Sequence, residues 1–378
     1  MTMLAERRGR ICTRCVMDES ASDLAFVDGV CRYCREAEYF RAQKDQAPDA
    51  LRLQADTLVT RLKREGRFRR YDCVMGVSGG ADSSYALLLA RRLGLRPLAV
   101  HVDNGWNSEL AVMNIERLIR TLDVDLVTIV IDWSQFRELQ LAFLRAGVVD
   151  LEMPSDHAII AGVYRTAQRF LLRSILSGDN SATEVGLPAG WNHRKTDLRN
   201  LRAIHDASSR ESLSTFPTIS TLGLVLRQRL LGQRWTPFLS LFPYVKSEAI
   251  EILKREIGWR PYPGKHGESI ITRFYQGYIL PRKFGFDKRR IHLSRLVAMG
   301  QMSRDAALAE LEKPPYDPEV MAIDREFVIK KFGITEAEFE RIMASPPVPH
   351  LDFPSDEQLL QKLFALNRVV QRVMERFA

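Results

Sequence analysis

Two rhythms of apolar and polar residues alternate along the middle of this chain. Short apolar runs are each followed by a stretch that is apolar at every third or fourth position, the signature of strand then helix. The runs predict strands at Cys73–Val77, Arg96–Val102, Asp125–Ile131, Leu172–Ser177 and Phe238–Phe242. The helical stretches fall at Ser83–Arg92 (with Gly94 as a stop), Ser108–Leu122, Ser134–Ala146, Ser155–Phe170 and Ser247–Ile257. Strands separated by helices build a doubly wound α/β domain with a mostly parallel five-stranded sheet. In such sheets ligands sit beyond the carboxyl ends of the strands.

The flanks follow other patterns. Residues 37–70 are charged with Leu51, Leu58 and Leu62 at helical spacing, a helical linker. Residues 261–378 read as a C-terminal helical region, with Ser303 as a cap and capping boxes at Thr335 and Ser355. The domain therefore spans 71–260, with a long insertion at 180–237 that carries Trp191, Lys195, Asp197 and several basic residues. Long loops inside compact domains are usually functional or disordered, and these residue types favour substrate contact.

The first strand runs into Ser78-Gly79-Gly80-Ala81-Asp82-Ser83-Ser84 and then a helix. Two glycines allow a sharp turn and close approach to a ligand. The helix N-terminus beyond them favours an anion, and the serines add donors, so the loop reads as a phosphate or pyrophosphate cradle. A Walker loop is excluded because no Lys follows, and a dinucleotide fingerprint because the glycines are wrongly spaced. Gly76-Val77-Ser78-Gly79-Gly80 fits the hydrolase elbow G-x-S-x-G, but no strand precedes Asp72 to supply its oxyanion loop. The SGGxDS pattern resembles the PP-loop ATP pyrophosphatases, which implies an adenine-nucleotide fold and a leaving pyrophosphate. Asp103, Asn104, Gly105, Asp132, Gly178 and Asn180, at the ends of later strands, are expected to join Ser78, Gly79, Gly80, Ser83 and Ser84 around ATP. Magnesium needs hard oxygen ligands, and Asp82 and Glu184 are the leading candidates. Lys195 is a candidate for stabilising phosphate charge, or a plain surface lysine.

Four of five cysteines, Cys12, Cys15, Cys31 and Cys34, form C-x2-C, fifteen residues, C-x2-C. That is zinc-ribbon spacing, and it assigns residues 1–36 to a ribbon. Four thiolates leave no open position, so the metal is expected to be structural. Cys73 lies in a strand and should be buried and inert. No thiol is left for sulfur transfer or for releasing ammonia from glutamine.

Composition changes this picture little. With 46% apolar and 27% charged residues the chain is an ordinary globular protein. A formal charge of +8 favours anionic ligands without choosing among them. The N-terminus shows no signal-peptide core and no apolar run is long enough to span a membrane, so the expectation is cytoplasmic.

Five stretches carry a further resemblance: Cys12-Thr13-Arg14-Cys15-Val16-Met17-Asp18, the knuckle at Gly29–Cys34, the SGGADSSY loop, Val102-Asp103-Asn104-Gly105-Trp106, and RFYQGYILP from Arg273 with KFGFDKRR from Lys283. Together they resemble the N-acetyl sugar amidotransferases of bacterial surface-glycan (lipopolysaccharide, O-antigen) biosynthesis. That resemblance implies that ATP adenylates the acetamido oxygen of a nucleotide-linked sugar and that ammonia then displaces AMP. It implies ammonia from a separate glutaminase and a cyclase-like channel subunit. The family's Gly-Glu-Asn after the fourth strand is replaced here by Gly178-Asp179-Asn180. Arg273, Tyr275, Gln276, Tyr278, Lys283 and Lys288 suit a nucleotide-sugar anion, although the same stretch also reads as a packed helix hairpin. The competing reading is a tRNA-modifying PP-loop enzyme, to which ribbon and basic charge point but the missing cysteines do not.

Overall fold

The computed structural model describes residues 10–21, 24–46, 48–180, 188, 190–262 and 267–357. A two-stranded hairpin, β1 (Phe26–Val27) and β2 (Val30–Cys31), leads into helices α1 (Arg32–Gln46) and α2 (Pro48–Gly66). The central domain runs β3 (Cys73–Gly76), α3 (Ala81–Arg92), β4 (Pro97–Asp103), α4 (Glu109–Leu122), β5 (Leu126–Val130), α5 (Trp133–Ala146), α6 (Met153–Arg169) and β6 (Ser174–Ser177). After α7 (Leu198–Ser208) and α8 (Thr221–Leu230) come β7 (Arg234–Pro237) and α9 (Lys246–Ile257). The helical region is α10 (Ile270–Phe274), a π-helical stretch Tyr275–Phe284, α11 (Arg289–Ala298), α12 (Arg304–Glu312), α13 (Pro318–Phe332) and α14 (Glu336–Ala344).

The sheet order is β5-β4-β3-β6-β7, and every pairing is parallel. The doubly wound α/β class read from the sequence is the one found. Two strands extend to one side of β3 and two to the other, so the topology switches at β3. The pleat sends alternate β3 side chains to opposite faces. Cys73 and Met75 pack with Leu87, Leu118 and Leu253 from α3, α4 and α9. Val74 packs with Leu98, Val163 and Tyr164 on the α6 side. Buried on both faces, these strands read as continuous apolar runs.

The fifth strand corrects the expectation. It occupies Arg234–Pro237, while Phe238–Leu241 is a 3₁₀ turn. Phe238 and Leu239 are apolar because they fill the core beneath α2 and α3, not because they are in the sheet. This edge strand carries no apolar run of its own: Arg234 and Pro237 are exposed. The insertion between β6 and β7 holds two ordered helices.

The N-terminal cysteine segment docks on the helical region. Val16 N–H donates to Ser294 Oγ at 3.2 Å, Arg290 pairs with Asp18 at 2.9 Å, and Arg304 donates to the carbonyls of Cys12 and Cys15. Trp191 of the insertion stacks on Phe286 with centroids 4.0 Å apart, joining a third region to the same place.

Candidate functional site

The cradle is the turn from β3 into α3. Gly79 adopts φ +82°, and a Cβ there would stand 2.9 Å from the Ala111 carbonyl, so the turn requires glycine. Trp259 Nε1 and Tyr262 Oη both donate to the Gly79 carbonyl at 2.9 Å, fixing the peptide from behind. The end of β6 presses on the same turn: a Cβ on Gly178 would lie 2.8 Å from Ser83 N. Gly80 caps α3 without a side-chain bond, leaving first-turn N–H groups for a ligand. The serine hydroxyls bond within the loop. Ser78 Oγ and Ser83 Oγ are 3.1 Å apart, Gly80 N–H donates to Ser78 Oγ, and Ser78 N–H donates to Ser83 Oγ. Ser84 Oγ is buried with no partner among the described residues.

The cradle opens onto a cavity of about 670 Å³ at the carboxyl ends of the strands. Ser78, Gly80, Asp82, Ser83, Asn104 and Gly178 line it; Gly79 and Ser84 lie behind the surface. Asp103, Gly105, Asp132 and Asn180 are not on its wall. Asp103 accepts from Gly105 N–H at 2.9 Å and from Asn107 at 3.1 Å, shaping the loop that presents Asn104. Asp132 caps α5, and the Gln135 and Ser134 donors hold its pKa below the usual carboxylate range. Glu184 lies outside the described residues.

Asp82 is the carboxylate of the cradle. Tyr244 Oη donates to one of its oxygens and Lys246 Nζ stands 3.3 Å from the other. Lys246 opens α9 and lines the cavity. Lys195, by contrast, is not on the cavity wall. Its ammonium lies 2.6 Å from Asp150 and 3.0 Å from Asp156. Burial opposes that charge, but Asp150, Asp156 and Glu152 outweigh it and hold the lysine above its ordinary pKa.

The cavity also has an acidic group of lining side chains, its acidic wall. Glu152 and Asp156, at the start of α6, line it, joined by Glu268 and Glu310. Asp156 keeps 40% of its side chain open yet is surrounded by protein; burial raises its pKa, and Glu152 and Asp150 add to the rise against Lys195. Gln276 Nε2 donates to one Glu152 oxygen at 2.9 Å and Lys288 Nζ to the other at 2.8 Å. The structure thus brings two of the six residues expected of the Arg273–Lys288 stretch against a cavity carboxylate. The other four face the protein. Arg273 pairs with Asp324 at 2.5 Å, Tyr275 donates to the Val149 carbonyl at 2.5 Å, Tyr278 stacks on Phe274, and Lys283 caps α14 through Ile342 and Ser345.

Sequence reasoning did not single out Lys246, Tyr244, Trp259 or Tyr262. A signal existed for Lys246: it follows the fifth strand at the mouth of a helix, the same rule that selected Asp103.

The four cysteines Cys12, Cys15, Cys31 and Cys34 are buried with their sulfurs within 4.8 Å of one another. Cys15 and Cys31 sulfurs are 3.6 Å apart and Cys12 and Cys34 sulfurs 3.9 Å. Zinc–sulfur bonds of about 2.3 Å in a tetrahedron demand edges of about 3.8 Å, so the set fits zinc. Alone, the thiols oppose one another: contact with Cys31 and Cys34 pushes the Cys15 pKa down, whereas Cys31 and Cys34 are pushed up. A divalent cation removes that conflict. Cys73 is buried and burial pushes its pKa up, as an inert thiol requires.

Among described residues, no helix is long and apolar enough to cross a membrane. Solved structures similar to this chain include the NH3-dependent NAD synthetase of Campylobacter jejuni, 14% identical over 75% of this chain and 97% of that one, with TM-score 0.31. The NMN synthetase of Francisella tularensis is 17% identical over 55% and 93%, with TM-score 0.28. At those scores the fold assignment rests on the strand order itself. The uncharacterized protein MJ1599 of Methanocaldococcus jannaschii is 24% identical over 280 residues, 72% of this chain and 83% of its own length. Residues 268–367 match the C-terminal domain of the LPS biosynthesis protein WbpG-like family. This stretch holds the Arg273–Lys288 segment that carried the specific part of the resemblance, so the C-terminal part of the chain is similar to that domain of lipopolysaccharide biosynthesis proteins.

Proposed function

We propose that the protein is an ATP-dependent, AMP- and pyrophosphate-forming amidotransferase acting on a nucleotide-linked N-acetyl sugar. The observation that carries this reading is the division of one cavity into two chemistries. The cradle end offers unclaimed N–H groups, a helix N-terminus and Lys246, which suit the phosphates of ATP. The same lining offers Glu152 and Asp156, which suit sugar hydroxyls and ammonium. The acetamido oxygen attacks the α-phosphorus, the bond to the β-phosphate breaks, and pyrophosphate leaves into the cradle. Ammonia then adds to the activated carbon, AMP leaves, and the proton lost from nitrogen passes to a carboxylate of the acidic wall. The product is an acetamidino sugar. Binding, positioning and charge stabilisation are the protein's contribution.

Asp82 and Asp179, which line the cavity, are the carboxylates assigned to magnesium in this reading, with Glu184 as a further candidate. The phosphate-facing cation is Lys246, and Lys195 acts on the acidic wall. The four cysteines hold a structural zinc. Ammonia comes from a separate glutaminase subunit and a channel-forming partner, since Cys73 is buried and the other thiols are clustered.

The test is incubation with ATP, magnesium, ammonium and a panel of nucleotide-linked acetamido sugars, read by mass spectrometry. Product lighter by the difference between O and NH, formed with stoichiometric AMP, is expected. Asp82→Asn should abolish it with bound zinc unchanged. ATP consumption that requires tRNA instead of a sugar would replace this reading with the tRNA-modifying one.

A further inference from the structure

Helix α8 buries none of its residues. Leu222, Val225, Leu226 and Leu230 recur at three- and four-residue spacing, so they share one face of the helix, and all are exposed; Leu222 keeps 68% of its surface and Leu230 76%. Leu231 continues the ridge. Beside its end stands Leu171, 72% exposed and held at φ +55°. Arg234 N–H donates to the Arg173 carbonyl at 2.7 Å, tying that loop to the end of α8. Among the described residues nothing packs over this ridge.

The two stretches of chain that build this face carry charge of one sign, with Glu65 of α2 paired to Arg234. The chain has no Asp or Glu from 157 to 178 or from 212 to 247. These stretches build α6 and α8, which lie side by side: Arg165 donates to the Thr218 carbonyl and Arg227 to Gln168. They supply Arg165, Arg169, Arg173, Arg227 and Arg229. A second copy of this chain would bring arginines against arginines. A convex ridge of long aliphatic side chains flanked by arginines fits an anionic lipid surface, where apolar insertion and charge attraction add. No α8 residue lines the cavity, so docking there leaves the site open.

We propose that the α8 ridge docks the protein on membranes rich in anionic lipid, as a peripheral contact. This goes beyond the proposed reaction and does not depend on it. The test is sedimentation of the full chain with phosphatidylcholine vesicles, with and without phosphatidylglycerol. Wild type should sediment with the anionic vesicles, and salt should weaken it. Leu222→Ser/Leu226→Ser/Leu230→Ser should lower the bound fraction about tenfold. Arg227→Gln/Arg229→Gln leaves the apolar ridge intact and should remove the preference for anionic lipid, which keeps the test valid if the leucine variant folds poorly. Wild type remaining in the supernatant overturns the proposal. So does a dimer, seen by ultracentrifugation, that the leucine changes dissolve without any vesicle binding. So does tRNA binding through the arginines that the leucine changes leave untouched while vesicles are ignored.

Discussion

The Ser78–Ser84 turn and the Arg273–Lys288 segment are both dense in polar side chains, and they direct them oppositely. In the turn, backbone N–H groups of the first α3 turn lack side-chain caps and the serines bond only within the loop. In the segment, Arg273 meets Asp324, Tyr275 meets Val149 and Lys283 meets α14, all inside the protein. Polar density alone therefore does not mark a ligand site. Position does: the turn stands at the carboxyl end of the central strand, where glycines bring backbone to the cavity. The segment acts at one remove, through Gln276 and Lys288 on Glu152.

The largest effect expected from breaking this contrast is on stability. Arg273→Met leaves Asp324, 5% exposed, with only the Tyr316 hydroxyl. Removing one member of a buried pair strands the other charge, here at about 3 kcal/mol. A fall of that size in the unfolding free energy, read from the shifted urea midpoint, with the sugar KM unchanged below the transition, is the expected outcome. A raised KM at full stability would instead make Arg273 a substrate contact and dissolve the contrast.

Gly178→Ala tests the cradle from the other side. The added methyl would meet backbone at Ser83 N and the Asp82 carbonyl carbon, atoms that cannot rotate away. The turn must shift by several tenths of an ångström, and misplacement on that scale costs about a hundredfold in rate. Pyrophosphate release should fall accordingly while the thermal midpoint moves little. An unaffected rate would show that the turn does not position the phosphates.

How far these features were legible follows from the same contrast. Strands β3, β4 and β6 were visible because burial on both faces forces an apolar run, and the edge strand β5 because its Leu126-Val127-Thr128-Ile129-Val130 is apolar although only partly buried. The edge strand β7 was not, since Arg234 and Pro237 face solvent and the apolar Phe238 and Leu239 beside it serve the core. The cysteine cluster was legible from spacing, because two C-x2-C turns close one shell. Lys195 stood out in the sequence only as a basic residue in a long insertion. That Asp150 and Asp156 would claim it depends on how the insertion folds against α6, which no local pattern encodes. The same blindness hid Trp259 and Tyr262, which reach the cradle from beyond α9.

The smallest effect concerns the frame behind the acidic wall, and it is set by pH. His157 is buried; Nδ1–H donates to the Lys195 carbonyl at 2.7 Å, so Nε2 accepts from Ile219 N–H at 3.1 Å. Protonation would set two N–H groups against each other. Burial pushes the His157 pKa down to about 4, and burial does the same to His350, which accepts from Asp150 N–H. In the unfolded chain both titrate near 6.5. Between those values the unfolded state binds more protons, so stability is complete above about pH 6.5 and declines as pH falls towards about 4. At about pH 5 each histidine should lower stability by about 2 kcal/mol relative to neutrality. His157→Asn keeps a neutral polar group and should remove about half of the decline, at some cost in absolute stability. A urea midpoint independent of pH across this window would mean that neither imidazole is held neutral, and that the wall behind the cavity opens to water more than its packing allows.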